Sequence, residues 1–323
     1  MERIALSVGY TANIENLKRI LDCSENITSV YTGGLAGKIS GGRPDYLQEL
    51  DTLRKCVGLS HDRGVLCEIA LNAPCGLQPK SNTGWWDGIR EYLSELEDCG
   101  VDYVIASHPF LMKLVKEKTG MKVVASTICE IATARAAAYY EDIGADIIIP
   151  SMNVNYEMEA LRRIKSNLKR AKIRIMVNEH CLGDCPWRRF HHNHYSHSNE
   201  ELDYHFNCKA QFLTKPYLLL TNNAIRPEDL INYFDITHDF KIVGRMVPIE
   251  DLLSRIKAYS RGQYDGNYVS LFDSSLSRHF NIPNIALDGL YAHKINCSKL
   301  CEDCGYCMEL CKRSLGQSNP VTA

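Results

Sequence analysis

The stretch VDYVIASHPFLMKLVKEKTGMKVVAS, residues 101–126, decides the fold. Asp102–Ala106 is a short apolar run that ends in Ser107 and His108. HPFLMKLVKEKTG then reads as an amphipathic helix, opened by Pro109 and stopped at Gly120. Proline in a first turn and glycine past a last turn are ordinary helix punctuation. Lys122–Ala125 is a second apolar run, ending in Ser126 and Thr127. The unit is strand, polar end, helix, strand. Short continuous apolar strands suit a parallel sheet covered on its outer face.

The same unit recurs in both directions. Strand candidates before it are Arg3–Val8, Ile27–Tyr31 and Gly64–Leu71; those after it are Asp146–Ile149, Lys172–Val177 and Phe240–Val243. PDYLQELDTLRKCVGL puts Tyr46, Leu47, Leu50, Leu53 and Val57 on one stripe behind Pro44. WWDGIREYLSELEDCG closes on Gly100, and CEIATARAAAYYEDIGAD stops at Gly144. YEMEALRRIKSNLKR is acidic early and basic late, matching the helix dipole. VPIEDLLSRIKAYSRG (247–262) reads as the last helix of the series. About eight alternations predict an α/β fold, a (β/α)₈ TIM-like barrel over residues 1–262. An open doubly wound sheet is the alternative, but no G-x-G-x-x-G follows the first strand. YLLLTN (217–222) reads as an extra strand, and RPEDLINYF as a short helix opened by Pro227. Residues 263–323 read as a C-terminal cysteine-rich segment, ending in the polar tail LGQSNPVTA, expected to be disordered.

Composition narrows the class. The 323 residues are 45% hydrophobic and 24% charged, with a formal net charge of −2, so no global field draws nucleic acid or an anionic membrane. The basic run RRIKSNLKRAKIR (162–174) reads as the solvated face of one helix. The N-terminus has no signal-peptide pattern, and no window approaches the roughly 18 apolar residues of a membrane span. The expectation is a cytoplasmic protein with no membrane partner.

In such barrels, sites lie at the carboxyl ends of the strands. Those ends carry Asn72, Ser107, Ser126, Asn153, and the pair Asn178–Glu179. Helix capping accounts for several of these. It does not account for Asn178–Glu179, because cysteines rather than a helix follow. That stretch reads IRIMVNEHCLGDCPWRRFHHNHYSHSNEELDYHFNC (173–208), and residues 178–215 read as a cysteine- and histidine-rich insertion. Asn178, Glu179 and His180 are its candidate catalytic residues; the HHNHYSH run (191–197) reads as exposed and solvated, with its place beside Cys185 leaving open that one histidine reaches the site.

Fourteen cysteines in a reducing compartment point to metal ligands or catalytic thiols rather than disulfides. Cys301, Cys304, Cys307 and Cys311 have the C-x₂-C-x₂-C-x₃-C spacing of an iron–sulfur loop, with Cys297 just before them. Zinc is the alternative metal. A radical-SAM reading of Cys297, Cys301 and Cys304 fails, because almost no chain follows and Asp303 stands where that family has an aromatic. Cys181, Cys185 and Cys208 form a central set. Together the eight thiols suffice for one or two four-iron–four-sulfur clusters. The fourth ligand of the central set is open among Cys297, Cys311, Cys75 and Cys129. Cys23, Cys56 and Cys99 read as small buried side chains.

Several blocks together resemble the peptidase U-thirty-two family, the collagenase-like proteases: EIALNAPC (68–75), GVDYVIASHP (100–109), KVVASTICE (122–130), GADIIIPS (144–151), NEHCLGDCP (178–186) and RPEDL…FKIVGR (226–245). The resemblance covers about residues 1–260. One departure is that Cys185 follows Cys181 after three residues, where the family signature has six; the cysteine tail is not a general family feature. The resemblance implies either proteolysis or, as in several members, oxygen-independent hydroxylation of an RNA or a small aromatic substrate, with a four-iron cluster and prephenate implicated as oxygen donor. It implies cluster ligation by Cys181, Cys185 and Cys208, and carboxylate binding by Lys241 and Arg245.

Three functions are therefore expected in order. The first is an iron–sulfur hydroxylase acting on an RNA, peptide or small molecule. The second is a peptidase, although neither H-E-x-x-H nor G-x-S-x-G occurs. The third is a non-catalytic iron–sulfur partner subunit. An electron donor or a paired family subunit is the expected protein partner.

Overall fold

The computed structural model describes residues 3–11, 13–35, 49–75, 84–196 and 208–316. Pro44, Tyr46, Leu47, His197 and His205, with the end of the polar tail, lie outside the described residues.

Nine strands pair in parallel throughout: β1 Ala5–Gly9, β2 Ile27–Gly33, β3 Leu66–Leu71, β4 Tyr103–Ala106, β5 Lys122–Ala125, β6 Ile147–Ile148, β7 Lys172–Ile173, β8 Ile175–Met176 and β9 Asp239–Ile242. Their order is β7-β6-β5-β4-β3-β2-β1-β9-β8. The two ends of that order, β7 and β8, are consecutive in the chain, separated only by Arg174. The sheet thus closes on itself as a TIM-like barrel. The single expected strand Lys172–Val177 is split because its first half pairs with β6 (Ile148↔Ile173) and its second with β9 (Met176↔Lys241). A closed barrel needs such stagger between strands.

Strand residues alternate between two apolar clusters. Val30, Ile69, Val104, Val123, Ile148 and Ile175 pack outward with the helices. Tyr31, Ala70, Ile105, Val124, Ile147, Ile149 and Met176 pack together in the lumen. The period of two is that of a pleated strand. The same alternation sends Glu68, Arg174, Asp239 and Lys241 into the lumen. Arg174 Nη1 reaches Glu68 Oε1 at 2.6 Å and its Nε reaches Asp239 Oδ1 at 2.8 Å, with Arg174 and Glu68 both buried. Charges this deep hold only when mutually compensated.

The helices follow the expected punctuation. The helix Pro109–Lys118 starts after His108, whose Nδ1 accepts from Phe110 N at 3.2 Å. The helix Ala134–Ile143 stops where Gly144 turns left-handed at φ 116°. The last helix of the series, Ile249–Arg261, packs Leu252, Leu253, Ile256 and Tyr259 onto the barrel.

YLLLTN is a correction: residues Leu218–Thr221 form a helical turn, not a strand. Leu219 and Leu220 are both fully buried, and a strand would send consecutive side chains to opposite faces. Pro216, two residues upstream, has no N–H for a ladder. The segment from 263 onward folds as short turns and helices. Tyr268, Leu271, Ile282, Leu287, Leu290 and Leu310 join the same apolar cluster as the barrel's outer layer.

Candidate functional site

A cavity of about 510 Å³ opens at the carboxyl ends of the strands. Its wall includes Asn72, Ser126, Glu179, His180, Cys181, Lys241 and Arg245 from among the expected site residues. The polar strand ends meet directly, as Asn72 Nδ2 donates to Ser126 Oγ at 2.9 Å.

The remaining expected residues sit elsewhere. Asn178 is fully buried and ties three segments together: its Oδ1 accepts from Val243 N at 2.7 Å, and its Nδ2 donates to Val243 O and Leu271 O, both at 3.0 Å. Ser107 Oγ donates to Asn72 O at 3.0 Å and Ala73 O at 3.1 Å, and so fixes the loop behind Asn72. Asn153 Oδ1 accepts from Asn223 Nδ2 at 3.0 Å. Neither Ser107 nor Asn153 lines the cavity.

Sequence reasoning did not single out four further wall residues. Tyr31 lies two residues before the end of β2, with Lys241 Nζ 3.8 Å and Arg245 Cζ 5.4 Å from its ring centroid. Arg255 is 2% exposed and reaches the cavity from the helix Ile249–Arg261; its Nε donates to Ser270 O at 2.9 Å and its Nη2 to Ser274 Oγ at 3.0 Å. Asp273 lies beside it. Burial pushes the Asp273 carboxyl up, but hydrogen bonds from Leu276 N and Ser275, with His180 and Lys209 nearby, leave it below the usual range. His192 belongs to the helix Arg188–Tyr195, is buried at 5% exposure and reaches the cavity, as the place of the run beside Cys185 allowed for one of its histidines. Tyrosine near a strand end and arginine inside an amphipathic helix look ordinary until the barrel closes.

Burial pushes the Lys241 amine down to about 7; Glu68 opposes this, while Arg174 and Arg245 reinforce it. Gly9 makes room for this cationic wall, since a Cβ there would lie 2.5 Å from Arg245 Cγ and 2.9 Å from the Tyr31 ring.

Of the central cysteines, Cys181 lines the cavity, while Cys185 and Cys208 do not. Arg188 Nη1 donates to Cys181 Sγ at 3.3 Å and forms an ion pair with Glu179 Oε2 at 2.8 Å, with Arg188 and Glu179 buried. Burial raises the Cys208 thiol pKa, and Cys185 is close enough to push the same way. Cys75 N donates to Ser196 Oγ at 3.4 Å, which places Cys75 at the far end of the helix Arg188–Tyr195. Cys129 is committed differently: its Sγ faces Ala106 O and Ser107 O, and burial pushes its thiol up to about 12.

In the tail, Cys301–Cys304 is one helical turn, and a second helix runs Tyr306–Gly316. Burial pushes the Cys307 thiol up to about 11; Lys294 opposes this, and Cys297, Cys301 and Cys304 add to it as neighbours. Cys311 faces the other way, into the apolar core, at 3% exposure. Among the described residues no three or more histidines, cysteines or carboxylates form a group able to hold a metal ion. No described helix is long and apolar enough to cross a membrane.

Fold and site together define a TIM-like barrel protein with a cationic chamber at its mouth and one thiol, Cys181, on its wall. The model of Peptidase family U32 matches residues 13–266. Uncharacterized protease MJ1657 of Methanocaldococcus jannaschii is 30% identical over 334 residues, spanning 96% of this chain and 98% of that protein. The solved structure of the U32 peptidase Mk0906 superposes with a TM-score of 0.58 at 17% identity, covering 77% of this chain and 96% of the other, a likeness of fold. The chain belongs to Peptidase family U32.

Proposed function

We propose that this protein is an iron–sulfur enzyme that modifies a small anionic group without molecular oxygen, with hydroxylation as the reaction. The observation that carries the reading is the placement of Cys181 on the wall of a chamber that also carries Lys241, Arg245 and Arg255. Cys185 and Cys208 lie near one another, and Cys75, beside Ser196 at the end of the helix Arg188–Tyr195, is the candidate fourth thiol. The donors fit by type, since thiolates are the usual ligands of four-iron clusters. Cys129 fits poorly, because a ligand must be a thiolate and its surroundings oppose ionisation. A bound cluster would supply one-electron chemistry and an iron position for an oxygen-bearing ligand, prephenate among the candidates.

The chain's own residues have distinct tasks. Arg245 and Arg255 offer guanidinium groups to a carboxylate. Asn72 and Ser126 supply neutral hydrogen-bonding groups across the chamber. Glu179 holds Arg188, and Arg188 holds Cys181, so Glu179 acts as a positioning residue. His180 is the wall group suited to moving a proton. The volume suits a small aromatic molecule, or one base or side chain of an RNA or peptide. Cys297, Cys301, Cys304 and Cys307 are the candidate second set, for electron delivery from a donor protein or paired subunit.

Anaerobic purification followed by iron and sulfide analysis tests the reading. About four or about eight irons per chain are expected. C181A, C185A and C208A should each lower that content and bleach the visible absorption. A colourless, iron-free chain after reconstitution overturns the proposal. Peptide cleavage that persists after complete iron removal would establish instead the activity in the family's name.

A further inference from the structure

We infer that Lys241 is a covalent catalyst whose Nζ condenses with the carbonyl carbon of a small aldehyde or ketone bearing a carboxylate. The inference stands apart from the iron–sulfur reading, because it needs no metal.

Geometry carries it. Among the described residues the other deeply buried cations are occupied. Arg174 holds Glu68 and Asp239, Arg188 holds Glu179, Arg226 holds Asp229, and Arg255 donates to Ser270 O. Lys294, whose amine burial also pushes down to about 7 and which rests over the Tyr156 ring, donates to Asn222 O. Lys241 is 7% exposed, and among the described residues its Nζ makes neither a hydrogen bond nor an ion pair; the Nζ rests over the Tyr31 ring, and the residue lines the chamber. Lysines are almost never this buried unless paired, and neither Glu68 nor Asp239 forms an ion pair with this one. Asp239, two residues earlier on β9, is spent on Arg174.

The surroundings also favour the reactive form. Burial, with Arg174 and Arg245 nearby, pushes the amine down to about 7. About half of it is then uncharged at neutral pH, against roughly 1 in 10³ for an ordinary lysine. Desolvated lysines of this kind are the usual amine nucleophiles. Arg245 shares the Tyr31 ring with Lys241, so a guanidinium lies beside the amine to hold a carboxylate.

The step balances without any redox partner. The amine lone pair attacks the carbonyl carbon, and the C=O π pair moves to oxygen. Both amine hydrogens leave with that oxygen as water, and a C=N bond remains. The imine can then act as an electron sink for bond-making or bond-breaking at the adjacent carbon.

The test uses the full-length protein with glyoxylate or pyruvate and cyanoborohydride, read by intact mass and peptide mapping. The expected result is one reduced adduct per chain, at Lys241, formed on the order of a hundredfold faster than at surface lysines. Propanal, which lacks the carboxylate, should label more slowly, and R245M should erase that preference. K241R should abolish the adduct. The wild-type peptide map decides the matter even should K241R fold poorly. Labelling spread over surface lysines, or none at Lys241, overturns the inference whatever the iron content proves to be.

Discussion

Arg174 and Lys241 are buried cations in one barrel lumen, and their surroundings are opposite. Arg174 lies low in the barrel, between β7 and β8, with carboxylates from β3 and β9 against it. Lys241 lies one layer higher on β9, with an aromatic face and open space. The strand β9 serves both, since Asp239 and Lys241 are successive inward residues. The difference teaches where this barrel keeps its stability and where it keeps its chemistry. The lower charges are compensated and hold the strands in place. The upper amine is left without an ion pair beside the cavity, at the carboxyl ends of the strands, where such barrels place their sites.

The sharpest way to break this comparison is R174M. It strands Glu68 and Asp239 in the lumen, and breaking such a buried pair should cost about 3–5 kcal/mol in urea unfolding. A loss below about 1 kcal/mol would remove the distinction between the layers. N178A comes next. It leaves the buried Val243 N–H and two carbonyls without their partner, and about 2 kcal/mol is expected from the same measurement. K241M should move the other way, by about 1 kcal/mol or less towards greater stability at neutral pH, while losing the imine adduct.

The sign of the pH dependence sharpens the same point. Lys241 faces Glu68 and Asp239, which favour its charge, and Arg174 and Arg245, which oppose it; burial opposes it most. Its folded pKa, about 7, lies below the unfolded value of about 10.4. Between those values the unfolded chain binds more protons, so this group's contribution to stability rises with pH; below about 7 it is flat. Wild-type stability minus that of K241M should therefore climb from pH 7 to pH 10. A level difference would place an unrecognised anion beside the amine.

The barrel was legible because each unit repeats the same local signals. Pro109, Gly120 and the runs at 102–106 and 122–125 each report on their own neighbourhood. The stagger at Arg174 was not legible, since it arises only when the ring closes. YLLLTN misled because four apolar letters carry no period, and Pro216 was the available counter-signal. The site was legible in its strand ends: Asn72, Ser126, Glu179, Lys241 and Arg245 all meet the cavity. Asn178, Ser107 and Asn153 have the same letters and positions but hold backbone instead. Direction at a strand end depends on the loop that follows, which spacing does not encode. Glu68 and Arg174 did carry a signal, since a charge inside a buried run must find a partner across the barrel.

Gly9 has a consequence for anyone reshaping this protein. The atoms nearest its missing side chain are the Cγ of Arg245 and the ring of Tyr31. Position 9 is therefore a dial on the chamber, and one methyl group is its smallest step. Turning it would press on the aromatic platform and its arginine together while leaving every letter of β9 unchanged.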